Sequence, residues 1–191
     1  MRASGILPAP EWQVSQWFNT PQPLSVAGLK GKVIVLHSFQ MLCPGCVIHG
    51  LPQTQKITNL FDENDVTVIG LHTVFEHHNV MTPEALEAFI HEYRYTFPIG
   101  VDQPDGKQGL PYTMRTYNMQ GTPSLILIDH QGYIRKHSFG RDEDMQVGAE
   151  IALLVHEAKI AAAQHNSQAA DHVKSKEKHE NKGCDEDKCC V

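Results

Sequence analysis

The sequence predicts an α/β fold: a central mixed β-sheet flanked by helices on both faces. Three observations carry the prediction. Two short apolar runs, 33–39 and 66–72, read as strands covered on both sides. Segments with helical spacing of apolar residues separate them and follow them. Late in the chain, two further runs joined at Gly132 read as an antiparallel hairpin, followed by one more helix.

Taken in order, KVIVLHSF at 32–39 is rich in β-branched residues and is the central strand. After it, Val47, Ile48, Leu51, Ile57, Leu60 and Phe61 space out a helix ending near residue 61. VTVIGLH at 66–72 is the second buried strand. Thr82 is an N-cap with Pro83 at the first helical position, and Leu86, Phe89, Ile90 and Tyr93 share one face of the helix that follows. A short strand from Ile99 turns into a Gly- and Pro-containing loop, then a short helix spans about 114–117. Residues 124–129 and 133–138 form the hairpin. Asp142 caps a closing helix whose apolar face is Val147, Ile151, Leu154 and Ala158.

This makes one α/β domain over 1–163. Residues 164–191 mix both charge signs and lack the apolar content to offset ordering entropy, so they are expected to be a disordered polar tail containing histidines and cysteines. A net charge of −6 gives no nucleic-acid footprint. No apolar stretch approaches the roughly 18–20 residues a membrane span needs. The start lacks the apolar core of a secretory signal, so a cytoplasmic location is expected.

Five cysteines divide into Cys43 and Cys46 in the body and Cys184, Cys189 and Cys190 near the end. One close pair is no structural disulfide framework, and in a reducing compartment such a pair does chemistry or binds metal. Cys43 stands where a buried strand passes to a helix. Unpaired N–H groups and the helix dipole there favour a thiolate. Cys46, one turn on, can attack a mixed disulfide formed at Cys43. Gly121-Thr122-Pro123 precedes the first hairpin strand; Pro123 has no N–H for a sheet, and a cis bond there would leave Thr122 backbone groups free to hold a partner.

CPGC at 43–46 behind a buried strand, with Gly-Thr-Pro before a late hairpin, resembles the thioredoxin-like superfamily, in particular its TlpA-like and redoxin-type branch. The resemblance spans about residues 10–160. It implies a thioredoxin-like fold and thiol-disulfide oxidoreductase activity, with Cys43 attacking, Cys46 resolving and Pro123 as a cis proline beside them. Substrates would be disulfide-containing proteins or small thiols, with an external thiol reductant or oxidant closing the cycle and no bound organic cofactor.

Three positions depart from the family pattern. Leu42 stands where an aromatic residue usually precedes the first cysteine. Pro52 lies nine residues after Cys43 rather than eight, with Gly50 placed to absorb the extra residue. His37 occupies the place of a buried acidic residue, where a neutral imidazole titrating near neutrality could take the Cys46 proton.

Two other classes compete. A peroxiredoxin-like peroxidase would need a Pro-x-x-x-Thr/Ser-x-x-Cys motif, and neither cysteine has it. A metal-binding protein could join Cys43 and Cys46 to His72, Glu76, His77 or His78 near the end of the second strand. His49 reads as solvated. His165, His172 and His179 with the three tail cysteines make a separate candidate metal or redox segment.

Overall fold

The computed structural model describes residues 7–106 and 109–180, with side chains as far as residue 165. Seven strands form one mixed sheet. Strands β1 (Leu7–Pro8) and β2 (Val14–Phe18) come first, then β3 (Val33–Phe39). A π-helical turn (Cys46–Gly50) leads into α1 (Leu51–Leu60), followed by β4 (Val66–His72) and α2 (Pro83–Tyr93). The chain continues through β5 (Ile99–Asp102), α3 (Tyr112–Thr116), β6 (Ser124–Ile128), β7 (Tyr133–Phe139) and α4 (Asp144–Glu180). In space the order is β1-β7-β6-β3-β4-β5-β2.

β3 is central, parallel to β4 and antiparallel to β6, and every one of its residues is buried. Alternation sends Val33, Val35 and Phe39 into one core and Ile34 and Leu36 into the other. The first core also holds Leu51 and Ile57 of α1, Leu86 and Ile90 of α2, and Val147, Ile151 and Leu154 of α4. The second is closed by Met114 of α3, Tyr117, Met119 and Trp12. Helices therefore lie on both faces, as the sequence predicts. Burying side chains of this size stabilises by roughly 1.5–3 kcal/mol each, so the short α3 is held by tertiary packing rather than by propensity.

Local signals explain most boundaries. The Thr82 hydroxyl accepts from the Ala85 N–H at 3.3 Å, and Arg94 ends α2 in the left-handed region. In the β6–β7 turn, Gly132 has φ +92°, and Asp129 Oδ1 accepts from the N–H groups of Gln131 and Tyr133.

The structure corrects three expectations. β1 and β2 are edge strands that the apolar pattern did not mark. Ile48 and Leu60, counted on the inward face of the first helix, are exposed. Asp142 does not cap α4, which begins two residues later; its carboxylate is drawn to Ser138 and Lys136 instead. Residues 164–180 continue the helical backbone of α4: 149–182 contains neither Gly nor Pro and is rich in Ala, Lys and Glu, a composition of high helix propensity. Cys184, Cys189 and Cys190 lie outside the described residues. Among the described residues no helix is long and apolar enough to cross a membrane.

Candidate functional site

Cys43 and Cys46 form a disulfide at the carboxyl end of β3, with Cα atoms 5.2 Å apart. The two sulfurs have unequal surroundings. Cys43 is half-buried, whereas Cys46 has no exposure at all. The Cys46 N–H points at Cys43 Sγ from 3.2 Å, an interaction that would favour a Cys43 thiolate after reduction. Cys43 Sγ also lies 3.5 Å from the Thr122 carbonyl oxygen. The Thr122–Pro123 peptide bond is cis.

The extra residue between Cys43 and Pro52 becomes the π-helical turn Cys46–Gly50, closed by the Leu51 N–H on the Cys46 carbonyl. Glycines on this segment make room for the cis proline. A Cβ on Gly45 would sit 3.4 Å from Pro123 Cδ, and one on Gly50 would sit 3.2 Å from Pro123 Cβ. Pro123 therefore lies along the turn that carries both cysteines.

Gly50 also covers His37. A Cβ there would come within 2.6 Å of His37 Cε1 and 2.8 Å of Nε2. His37 projects from β3 and is buried. Its Nδ1 meets the Thr54 hydroxyl, and that hydroxyl donates to the Gly50 carbonyl at 2.9 Å. Thr54 Oγ1 thus accepts from Nδ1–H, which leaves Nε2 as the proton-accepting nitrogen of a neutral ring. Burial pushes the His37 pKa down to about 4, opposed by the charge of Asp142 and a hydrogen bond to the Gly50 backbone. The near-neutral titration expected from sequence is therefore corrected, because desolvation outweighs the neighbouring charge.

The five predicted site residues come together: Cys43, Cys46, Thr122 and Pro123 around the turn, with His37 beneath Gly50. The metal reading of the first two strands does not assemble. His72 is buried with its ring 5.2 Å from that of Phe39, Glu76 and His77 are exposed, and among the described residues no three His, Cys, Asp or Glu are placed to hold a metal ion. His49 is exposed, as expected.

Sequence reasoning missed Thr54 and the site position of Asp142. Thr54 left a trace: it stands three residues after Leu51 and three before Ile57, a polar residue in a buried stripe. Asp142 left none, since it reaches the site through Ser138 and Lys136 on a neighbouring strand.

Comparison with known proteins agrees with this geometry. The redoxin family model matches residues 8–151. A crystal structure of a thioredoxin-like superfamily protein is 57% identical, with a TM-score of 0.76 over 78% of this chain and 96% of that one. A thiol-disulfide isomerase from Corynebacterium glutamicum is 51% identical, with a TM-score of 0.75 over the same shares. The thiol:disulfide interchange protein DsbE of Allochromatium vinosum is 27% identical over 143 residues, covering 75% of this chain and 70% of that protein. The chain belongs to the redoxin family and is a thiol-disulfide oxidoreductase of thioredoxin-like fold.

Proposed function

We propose that Cys43 is the attacking thiol and Cys46 the resolving thiol in exchange with disulfide-containing proteins. Unequal access of the two sulfurs carries the assignment: a substrate can approach half-buried Cys43 but not fully buried Cys46. The Cys43 thiolate attacks a substrate disulfide, one substrate sulfur leaves as thiolate, and a mixed disulfide remains. Thr122 and Pro123 steady it beside the turn. Cys46 then attacks Cys43 Sγ, releasing the second substrate sulfur and leaving the Cys43–Cys46 disulfide, while His37 takes the Cys46 proton. An external thiol couple resets the pair.

Protein substrates fit the rim better than small charged thiols. Leu42, Ile48 and Phe139 are 55%, 65% and 56% exposed, and the Phe139 ring lies against Gly121 just before the cis proline. Such a surface suits a polypeptide carrying apolar side chains beside its cysteine. The proposal includes a cytoplasmic site of action, supported by the grouping of the cysteines into one body pair and a terminal trio; fractionation of cells making the natural protein tests it.

The central test uses reduced protein with Cys184, Cys189 and Cys190 replaced by serine. Its rate constant with hydrogen peroxide is compared with that for a model protein disulfide. Fast disulfide exchange with a peroxide rate typical of an unactivated thiol is the expected result. Peroxide reactivity orders of magnitude higher would make Cys43 a peroxidatic centre and overturn the proposal. For the division of labour, Cys46→Ser should trap a substrate mixed disulfide on Cys43; trapping by Cys43→Ser instead would reverse the roles.

A further inference from the structure

When Cys46 attacks, the Cys46–Cys43 bond forms, the bond from Cys43 to substrate sulfur breaks, and the electron pair leaves on the substrate. The Cys46 proton must also leave. Cys46 has no exposure, so bulk water cannot receive that proton directly. A cavity of about 100 Å³ lies beside the π-helical turn and is lined by His37, Gly50, Gln53, Pro123 and Asp142, among others. It reaches the surface at Lys56, Arg141 and Asp144, which are exposed. It has room and polar lining for several water molecules.

Asp142 is held in place on this cavity from three sides. One carboxylate oxygen accepts from the Ser138 hydroxyl, the other lies 3.2 Å from Lys136 Nζ, and its backbone carbonyl accepts from Gln53 at 3.0 Å. Lys136 also pairs with Glu150 at 2.8 Å.

The other charged or titratable groups around His37 come from two segments. On the cavity, His49 and Lys56 lie on the turn and α1, Arg141 on the β7–α4 connection and Asp144 at the start of α4, while Cys46 begins the same turn. Lys56 and Asp144 pair at 2.8 Å and offset one another. The strand neighbours of His37, Gly70 and Leu125, are uncharged.

We infer that Asp142 is a positioning residue for proton transfer: its fixed carboxylate stabilises positive charge on His37 across a hydrated cavity, and the cavity passes the Cys46 proton to solvent. This rests on His37 being the proton acceptor. The direction in which Asp142 pulls the His37 pKa, upward against burial, agrees with it.

The test follows reduced full-length protein, its three tail cysteines changed to serine, reacting with the chromogenic disulfide dithiobis-nitrobenzoate. The first coloured thiolate reports attack by Cys43, the second attack by Cys46. Asp142→Asn removes the charge that favours imidazolium, so it should move the acid midpoint of the second phase down by about one unit and slow the plateau above it by up to about tenfold. Lys136→Met strips the cation from Asp142 and should move that midpoint up and speed the plateau. The first phase should keep its pH dependence in both. Structural damage would slow both variants, so opposite shifts identify the electrostatic effect. The inference is overturned if the two midpoints stay at the wild-type value or move in the same direction, and Lys136→Met alone decides it if Asp142→Asn fails to fold. His37→Asn separates the underlying reading: an unchanged profile in that variant removes His37 as acceptor. A changed profile there, without the two opposite shifts, removes only the role of Asp142.

Discussion

Gly50→Ala adds one methyl group at the closest approach in the site. That carbon would lie 2.6 Å from His37 Cε1, about 0.9 Å inside ordinary contact at ~3.5 Å. The neighbours have little freedom to move. His37 is fixed through Nδ1 to Thr54, and the Pro123 Cβ, 3.2 Å from the new carbon, belongs to a ring closed on its own backbone nitrogen. Overpacking of this kind costs about 1–3 kcal/mol, against a gain of up to ~1 kcal/mol for replacing glycine in a helix. The net expectation is a loss of about 1–2 kcal/mol, or roughly 2–8 °C in Tm for a chain of this size.

Thermal and urea unfolding of the oxidised protein measure it, with Gly148→Ala as the control. A Cβ on Gly148 meets nothing within 4 Å, so that helical substitution should stabilise by about 0.5–1 kcal/mol. If Gly50→Ala were as stabilising as Gly148→Ala, the tight packing of the turn on His37 and Pro123 would be refuted, and with it the geometry from which the His37 role is argued.

Three further outcomes follow from the same structure. Both ring nitrogens of His72 are buried without a hydrogen-bond partner, and burial pushes its pKa down to about 4. The unfolded chain takes up protons below about pH 6.5 that this folded imidazole refuses. Stability is therefore full above about pH 6.5 and falls as pH drops toward about 4, by up to ~3 kcal/mol for each such histidine, His37 being the other. His72→Leu should remove about half of that acid loss in urea melts across this window; an unchanged slope would show that His72 is not the titrating group. Thr54→Val takes away the acceptor of His37 Nδ1–H and should cost about 1–3 kcal/mol in chemical denaturation, so a neutral substitution would refute the inferred hydrogen bond. Deleting residues 164–191 should leave the disulfide-exchange rate and metal content unchanged, because the α4 residues packed on the first core, Val147 to Val155, all precede that segment; a change in either would assign the tail a role.

How much of this was legible in the sequence depended on how far each residue's partners lie along the chain. β3 could be read because all seven of its residues are buried, and a strand covered on both faces has a near-continuous apolar pattern, here broken only by His37 and Ser38. β2 could not: Val14–Phe18 exposes two of its five residues and exists through pairing with β5, more than 80 residues later. β1 is two residues long, includes Pro8, and depends in the same way on β7. Burial arguments speak only to whether the 164–180 segment can form a core; its helical backbone follows from local propensity, about which they say nothing.

The site divides along the same line. The cysteines and Pro123 are marked by local motifs, and the π-helical turn by a one-residue excess in spacing before Pro52. The environment of His37 is not local at all, since Gly50 sets its packing, Thr54 its tautomer and Asp142 its charge balance. That dependence bears on why a histidine can occupy a strand position covered on both faces. An acidic residue there would have to be buried either as an anion or as a neutral acid with no proton-accepting role. An imidazole rests neutral at pH 7, with its low pKa resisting charge until Cys46 begins to lose its proton. As negative charge develops on the attacking sulfur and passes to the leaving one, the fixed carboxylate of Asp142 remains to hold the imidazolium long enough for the proton to reach water. The same burial that makes His37 a poor base at rest thus confines its protonation to the exchange step.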